Sequence, residues 1–327
     1  MAVQTLIEGV RQALTEEMER DERVWVLGED VGRKGGVFLA TEGLYGKFGE
    51  GRVLDTPLAE SCIVGVAIGS ALNGLIPVAE IQFADFIHSA IDQLVSEAAK
   101  LHYRSNGDFA CPIVVRVPYG GGVHGALYHS QSLESLFAHI PGLKVVCPST
   151  PADVKGLLTA ALEDPDPVIF FEHKRTYRAI KGPLPEGRHI VEIGRASLAR
   201  AGRDLTVVTY GMMRHQAVEA AETLASEGIE AEVIDLRSAS PIDREAVAES
   251  VKRTGRLLVA HEDNISVGIG AEVAASMAED CFYDLDAPIM RLCLADIPAM
   301  PFAASMEQAA LPDTKDFADA MRKLAAT

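Results

Sequence analysis

Short apolar runs alternate along the chain with longer stretches whose apolar positions recur at the spacing of a helix. Such alternation predicts α/β architecture: two domains with mainly parallel sheets and right-handed crossovers. Residues 4–20 carry the helical period, and Val24–Gly28 reads as a buried strand followed by glycine-rich sequence (Gly32, Gly35, Gly36). LDTPLAE (54–60) then leads into the small-residue run SCIVGVAIGSALNGL, which predicts a buried helix opened by Glu60. Further strands are expected at Pro77–Ile81, Pro112–Pro118, Leu143–Cys147 and Pro167–Glu172, with helices at Ala90–Arg104 and near 152–163. Between them, GGGVHGALYHSQSLESLF is a glycine-rich loop running into a helix.

Composition changes over 178–203, where RAIKGPLPEGRH concentrates Gly, Pro and charge as a linker does. The boundary is expected near 185, giving domains 1–185 and 186–327. The second half predicts strands at Asp204–Tyr210, Ala231–Arg237, Arg256–His261 and Pro288–Leu294, alternating with helices near 212–226, 242–253 and 269–281. Gly228 and Gly255 stand where helix C-caps belong, and Pro241 and Asp243 at a helix start.

A length of 327 residues agrees with two domains. Thirty Lys and Arg against 47 Asp and Glu leave a net charge of −17, which excludes nucleic acid binding by bulk electrostatics and disfavours anionic membrane surfaces. Ile63–Ala79, the most apolar stretch, contains Ser70, Asn73, Pro77 and three glycines, so no membrane span is expected. The five cysteines are widely spaced, none in a CxxC, and read as reduced thiols. With no signal or transit pattern at the start of the chain, the expected location is cytoplasmic.

Few residues announce chemistry on their own. Glu60 at a helix start is explained by the macrodipole; enclosed in apolar surroundings, its carboxyl would instead suit holding or sharing a proton. Gly65 and Gly69 form a GxxxG on the same helix, compatible with packing inside the domain or with a tight subunit contact. His129 in GALYHSQS is a candidate general acid/base. Its neighbours His88, His124 and His139 lack HxH or HxxxH spacing, so a transition-metal site is weak, and no GxSxG precedes Ser130. Gly268-Ile-Gly270 lacks the third glycine of a dinucleotide fingerprint and reads as a tight strand-to-helix turn. His261 and Glu262 end a strand, where turn or interface contacts explain them.

The motifs in order go further. VLGEDVG (26–32), GGVF (35–38), LDTPLAE, PVAEIQFADF (77–86), HGALYHSQS (124–132), HIPGLKVVCPSTPADVKGLL (139–158) and DPVIFFEHKRTYR (166–178) resemble the beta subunit of thiamine-diphosphate-dependent 2-oxoacid dehydrogenases. The resemblance extends to TYG, DLR, PID and MPFA (209–211, 235–237, 241–243, 300–303). It implies a pyrimidine-binding domain followed by a transketolase-type C-terminal domain. It also implies an alpha subunit in an alpha2-beta2 heterotetramer, which supplies Mg2+ and the diphosphate site through a GDG…N motif. That motif is missing here, Gly107-Asp108 lacking the following glycine.

By matching position, the resemblance implies that Glu60 hydrogen-bonds the aminopyrimidine ring and that Leu58, Gln82 and Phe86 line it, with Glu29 in the same polar network. Phe86 stands where some relatives carry Tyr, so a hydroxyl contact is lost. His129 is implied beside the substrate and the lipoyl group of an acyltransferase core. Ile113, Ala161, Leu162, Asp164 and Asp166 match a potassium site, with Asp166 replacing an Asn of some relatives. The implied reaction decarboxylates a 2-oxo acid and acylates lipoamide. The GGGVHGALYHSQS segment looks most like branched-chain enzymes, with pyruvate or acetoin as alternative substrates. Rival readings are a split transketolase-like ketol transferase half and a non-catalytic scaffolding subunit.

Overall fold

A computed structural model describes residues 2–327. Its contacts divide the chain into two units: the chain up to Tyr119 with Leu136–Ile193, and Gly120–Ser135 with Gly194–Thr327. The division at 193/194 falls within the composition shift over 178–203 and later than the expected boundary near 185, and the glycine-rich loop belongs to the second unit although it interrupts the first.

The first unit opens with β1 (Ala2–Thr5) and α1 (Leu6–Arg20). The Thr5 hydroxyl accepts the Glu8 N–H while the Glu8 carboxylate accepts that of Thr5, a capping box that fixes the helix start. There follow β2 (Val24–Gly28), α2 (Leu44–Phe48), β3 (Val53–Asp55), α3 (Glu60–Leu72), β4 (Ile76–Glu80), α4 (Ala99–Arg104) and β5 (Val114–Tyr119). After the loop come α5 (Glu134–Ala138), β6 (Lys144–Val146), α6 (Pro151–Glu163), β7 (Val168–His173), α7 (Thr176–Ala179) and β8 (Lys181–Leu184), the last antiparallel to β1. The parallel strands lie in the order β6-β7-β5-β4-β2-β3. Strands β4, β5 and β7 are buried at every position, which is why they read as mostly apolar runs rather than alternating ones, broken only by Glu80, Arg116, Glu172 and His173. Helices α1 and α6 pack closely because Gly9 has no side chain: a Cβ there would lie 2.7 Å from Val154 and 2.9 Å from the Pro151 carbonyl.

Two helices differ from expectation. The expected Ala90–Arg104 helix is helical from 91 to 104 but widens to a π turn over Gln93–Ala98 before α4, and a 3-10 stretch over Ala84–Ala90 leads into it. The wide turn keeps Leu94, Ala98, Ala99 and Leu101 all on the buried side. Helix α3 is not wholly buried. Ile63, Val64, Ala67, Ile68 and Ala71 face the core, while Cys62, Gly65, Val66, Gly69 and Leu72 form an exposed stripe. A Cβ at Gly69 would meet nothing within 4 Å and one at Gly65 only the Gln93 side chain at 4.0 Å, so the GxxxG marks no close backbone approach within the unit.

Beneath the sheet lies an ion cluster with no access to water. Arg116 of β5 donates to both Glu172 oxygens of β7 (2.7 and 2.6 Å) and to Glu80 of β4 (2.5 Å), and the Tyr177 hydroxyl of α7 also donates to Glu172. Burial works against the guanidinium charge, and the two carboxylates more than restore it. Burial holds the Glu80 carboxyl above its usual range against the opposing pull of Arg116.

The second unit carries β9 (Ser197–Arg200), β10 (Leu205–Thr209), α8 (Met212–Ala225), β11 (Ala231–Asp235), short β12 (Ser238–Ser240), α9 (Arg244–Thr254), β13 (Leu257–Asn264), α10 (Ile269–Asp280), β14 (Met290–Leu294), α11 (Ala304–Ala310) and α12 (Thr314–Ala325). Five strands run β14-β13-β10-β11-β9, all parallel except the edge strand β9. Asp243 caps α9 by accepting the Ala246 N–H, and Gly255 ends it at φ 67°. Among the described residues, no helix is long and apolar enough to cross a membrane.

Removing Arg116 strands two buried carboxylates. Arg116→Leu is expected to cost about 3–5 kcal/mol, read as a lower midpoint in urea unfolding; an unchanged midpoint would contradict the cluster's role.

Candidate active site

Glu60 is the first residue of α3, half-exposed, and its Oε2 accepts the Ser89 hydroxyl at 3.1 Å. The full apolar enclosure expected from the sequence is not supplied by this unit, because the outward face of α3 is uncovered. Ser89 also donates to the Phe86 carbonyl (3.1 Å), so the Glu60 and Phe86 segments are joined by one hydroxyl. Phe86 stacks edge-on against Phe83, which packs in turn on Phe38.

Glu29 follows β2 and is 9% exposed, with a buried Oε1 that finds no hydrogen-bond partner. Desolvation, followed by the charge of Glu60, holds its carboxyl above the ordinary range. Gln82 donates to the Glu29 carbonyl at 3.4 Å. Glu29, Glu60, Gln82 and Phe86 thus gather in the first unit, and Leu58, 78% exposed, stands two residues before Glu60. An orphaned buried carboxylate oxygen, an amide, an aromatic face and a second carboxylate suit a flat polar ring.

His129 lies in the second unit, half-buried, at the end of a 3-10 turn over Ala126–Tyr128. It rests on Gly125, where a Cβ would sit 2.8 Å from His129 Cβ, His129 O and Ser130 Oγ. The loop carrying it is tied down by Glu262, expected to make turn or interface contacts, and by Glu307 and Asp263, which sequence reasoning missed. Gly121 N–H donates to Glu262 (2.5 Å), Gly122 N–H to Glu307 (2.8 Å) and Ser135 N–H to Asp263 (3.3 Å). The first two contacts join positions 141 and 185 residues apart, and no local pattern marks them.

The five residues matched to a potassium site present only oxygens, as a hard cation requires. Their carboxylates are already engaged: both Asp164 oxygens accept Lys144 Nζ at 2.6 Å, and Asp166 pairs with His102 Nδ1 at 2.7 Å. The Ile113 and Ala161 carbonyls accept backbone N–H groups from Val168 and Asp164, and Leu162 is buried beside them in α6. As arranged, the Lys144 ammonium supplies the positive charge of this turn.

Comparison with known proteins also divides the chain in two, with residues 120–135 kept in the first part. Residues 3–180 match the transketolase pyrimidine-binding domain, and 194–316 match the transketolase C-terminal domain. The chain is 58% identical to the 2-oxoisovalerate dehydrogenase beta subunit of Bacillus subtilis over 325 residues, 99% of both chains. It is 46% identical to the pyruvate dehydrogenase E1 beta subunit of the same organism, again over 99% of both. Among solved structures it resembles a split-gene transketolase described as an inactive beta4 tetramer, with a TM-score of 0.81, 25% identity and 98% coverage of each chain. The fold and site therefore define a transketolase-type α/β enzyme chain. Within that class, the chain belongs to the family of 2-oxoacid dehydrogenase beta subunits.

His261 in β13 is fully buried, stacked 6.3 Å from Tyr210, with Nε2 3.3 Å from Cys293 Sγ. Burial pushes the imidazole down to about 4 and the thiol up to about 11, so the pair is neutral and no nucleophile. The unfolded chain binds a proton near pH 6.5 that the folded chain refuses until about pH 4. Stability is therefore expected to fall as pH drops through that window, by about 3 kcal/mol in all. Denaturant midpoints from pH 7 to 4 should fall more steeply for the native chain than for His261→Gln; equal slopes would contradict this.

Proposed function

We propose that this chain is the pyrimidine-side half of a thiamine-diphosphate-dependent enzyme that decarboxylates a 2-oxo acid and acylates a lipoyl group. The other half is an alpha subunit, in an alpha2-beta2 heterotetramer, holding the diphosphate and Mg2+. The observation that carries this reading is Glu60 at the head of α3, whose outward stripe of Cys62, Gly65, Val66, Gly69 and Leu72 is apolar and uncovered. A helix apolar on both sides is built to be covered on both. The inactivity of the split-gene transketolase beta4 assembly supports the same division of labour.

When bound, thiamine diphosphate supplies the carbanion chemistry of decarboxylation. Glu60 then holds a proton against a ring nitrogen of the pyrimidine, with its Oε2 steadied by Ser89. Glu29, whose buried Oε1 has no other partner, serves as a second proton-holding carboxyl, and Phe86 and Leu58 offer apolar contact. His129 moves a proton during acyl transfer to lipoamide and steadies the substrate carbonyl. Potassium at the 161–166 turn would compete with Lys144 for Asp164.

A branched-chain 2-oxo acid is the favoured substrate, since identity is 58% to the 2-oxoisovalerate enzyme and 46% to the pyruvate one. A cytoplasmic location fits five cysteines outside any disulfide, three of them buried. The fold likeness to a split transketolase keeps ketol transfer as the second reading, and dependence on lipoamide separates the two.

Two substitutions test the roles in the assembled enzyme. Glu60→Gln should leave assembly intact and slow hydrogen exchange at the thiazolium carbon by about a hundredfold or more; normal exchange would remove Glu60 from the mechanism. His129→Ala should impair lipoamide acylation more than decarboxylation measured with an artificial electron acceptor, and equal losses would count against it.

A further inference from the structure

The loop Gly120–Ser135 carries His129 but has little of its own to hold it in place. Apart from one 3-10 turn and the first two residues of α5 it is irregular, and Val123, Leu127 and Tyr128 are exposed. His124 and Ala126 both lie at φ 55°, a backbone region that neither residue favours. Such a segment keeps one conformation only if its surroundings over-determine it.

Two buried carboxylates do so. Glu307 of α11 is 1% exposed; its Oε1 accepts the Gly122 N–H at 2.8 Å, and its Oε2 pairs with His124 Nδ1 at 2.5 Å. Glu262 of β13 is 7% exposed and accepts the Gly121 N–H at 2.5 Å. Each bond ties the loop backbone to a buried side chain of a distant element, where little water competes for the donor. The grip is reciprocal: if the loop left, Glu307 would stay buried without these donors.

The grip reaches His129 through the loop itself. Gly120 N–H donates to the Gln131 carbonyl (3.1 Å), closing the loop base around His129. His129 rests directly on Gly125, the residue after His124. At the far end, Ser135 is bonded to Asp263 and accepts the Ile269 N–H (3.1 Å), and Glu134 accepts the Tyr210 hydroxyl (2.8 Å).

We propose that Glu307, with Glu262 beside it, is a positioning residue for His129: the two carboxylates clamp the Gly121–Gly122 backbone and set where the imidazole stands during acyl transfer. The inference rests on the reading of His129 given above. In a holoenzyme assembled with its alpha partner, Glu307→Ala should slow acylation of a lipoyl domain by about tenfold or more, since small misplacements of a reacting group are costly. Decarboxylation with an artificial acceptor should stay within about twofold. Glu307→Gln, whose amide oxygen still accepts from Gly122, should recover most of the loss. Amide exchange over 120–135 should quicken in Glu307→Ala and not in Glu307→Gln. Parallel loss of both half-reactions, or Gln as impaired as Ala, would overturn the clamp while a selective His129→Ala left the function intact. A non-selective His129→Ala would bring down both readings together. Should Glu307→Ala fail to assemble, His124→Ala removes only the exposed imidazole and should slow acylation selectively by about threefold; no selective loss there overturns the clamp.

Discussion

One buried arginine sets the order of the first unit. Arg116 has no exposed surface, and its guanidinium is shared between Glu80 and Glu172, so β4, β5 and β7 are tied together through charges that cannot reach water. Such a cluster contributes little net stability compared with an apolar core, but breaking it is expensive, so it selects one strand arrangement over others. Its consequence is positional. Glu80 ends β4, and Gln82 stands two residues on; β2, paired beside β4, delivers Glu29. Glu29 and Gln82 thus emerge beyond the ends of two paired strands, one of which the ion cluster holds through Glu80.

The same unit spends its apolar surface in an unusual way. Helix α3 has an apolar inner face against its own sheet and an apolar outer stripe with room around Gly69. Glu60 sits at the junction of the two faces, where its environment depends on what covers the stripe. A carboxyl gains the desolvation that favours proton sharing only when water is excluded. What covers this stripe therefore sets the surroundings of the Glu60 carboxyl. His129 is handled differently: its loop is clamped from within the second unit by Glu262, Glu307 and Asp263.

Much of this was legible in the sequence. Strands such as Val24–Gly28 are continuous apolar runs, and both Asp243 and Gly255 cap α9 as their residue types demand. The start of α12 was also written there, in the Asp313–Asp316 capping box and the stripe Phe317, Ala318, Met321 and Leu324, though it was not anticipated. The motifs singled out Glu60 and His129 because short runs around them are distinctive. What stayed hidden depends on distance along the chain. Nothing near Gly121 or Gly122 announces Glu262 or Glu307, and Arg116 reads as an interruption in an apolar strand until Glu80 and Glu172 meet it. Nor can composition tell that a helix apolar all round is half uncovered, as α3 is.

The central claim is that this chain holds half of a shared catalytic site. Decarboxylation of a panel of 2-oxo acids, measured with thiamine diphosphate and Mg2+ for the purified chain alone and after mixing with its alpha partner, tests it most directly. Turnover only in the mixture, greatest with a branched-chain 2-oxo acid and passed on to lipoamide, is the predicted result. Turnover by the chain alone at the rate of the mixture would contradict it.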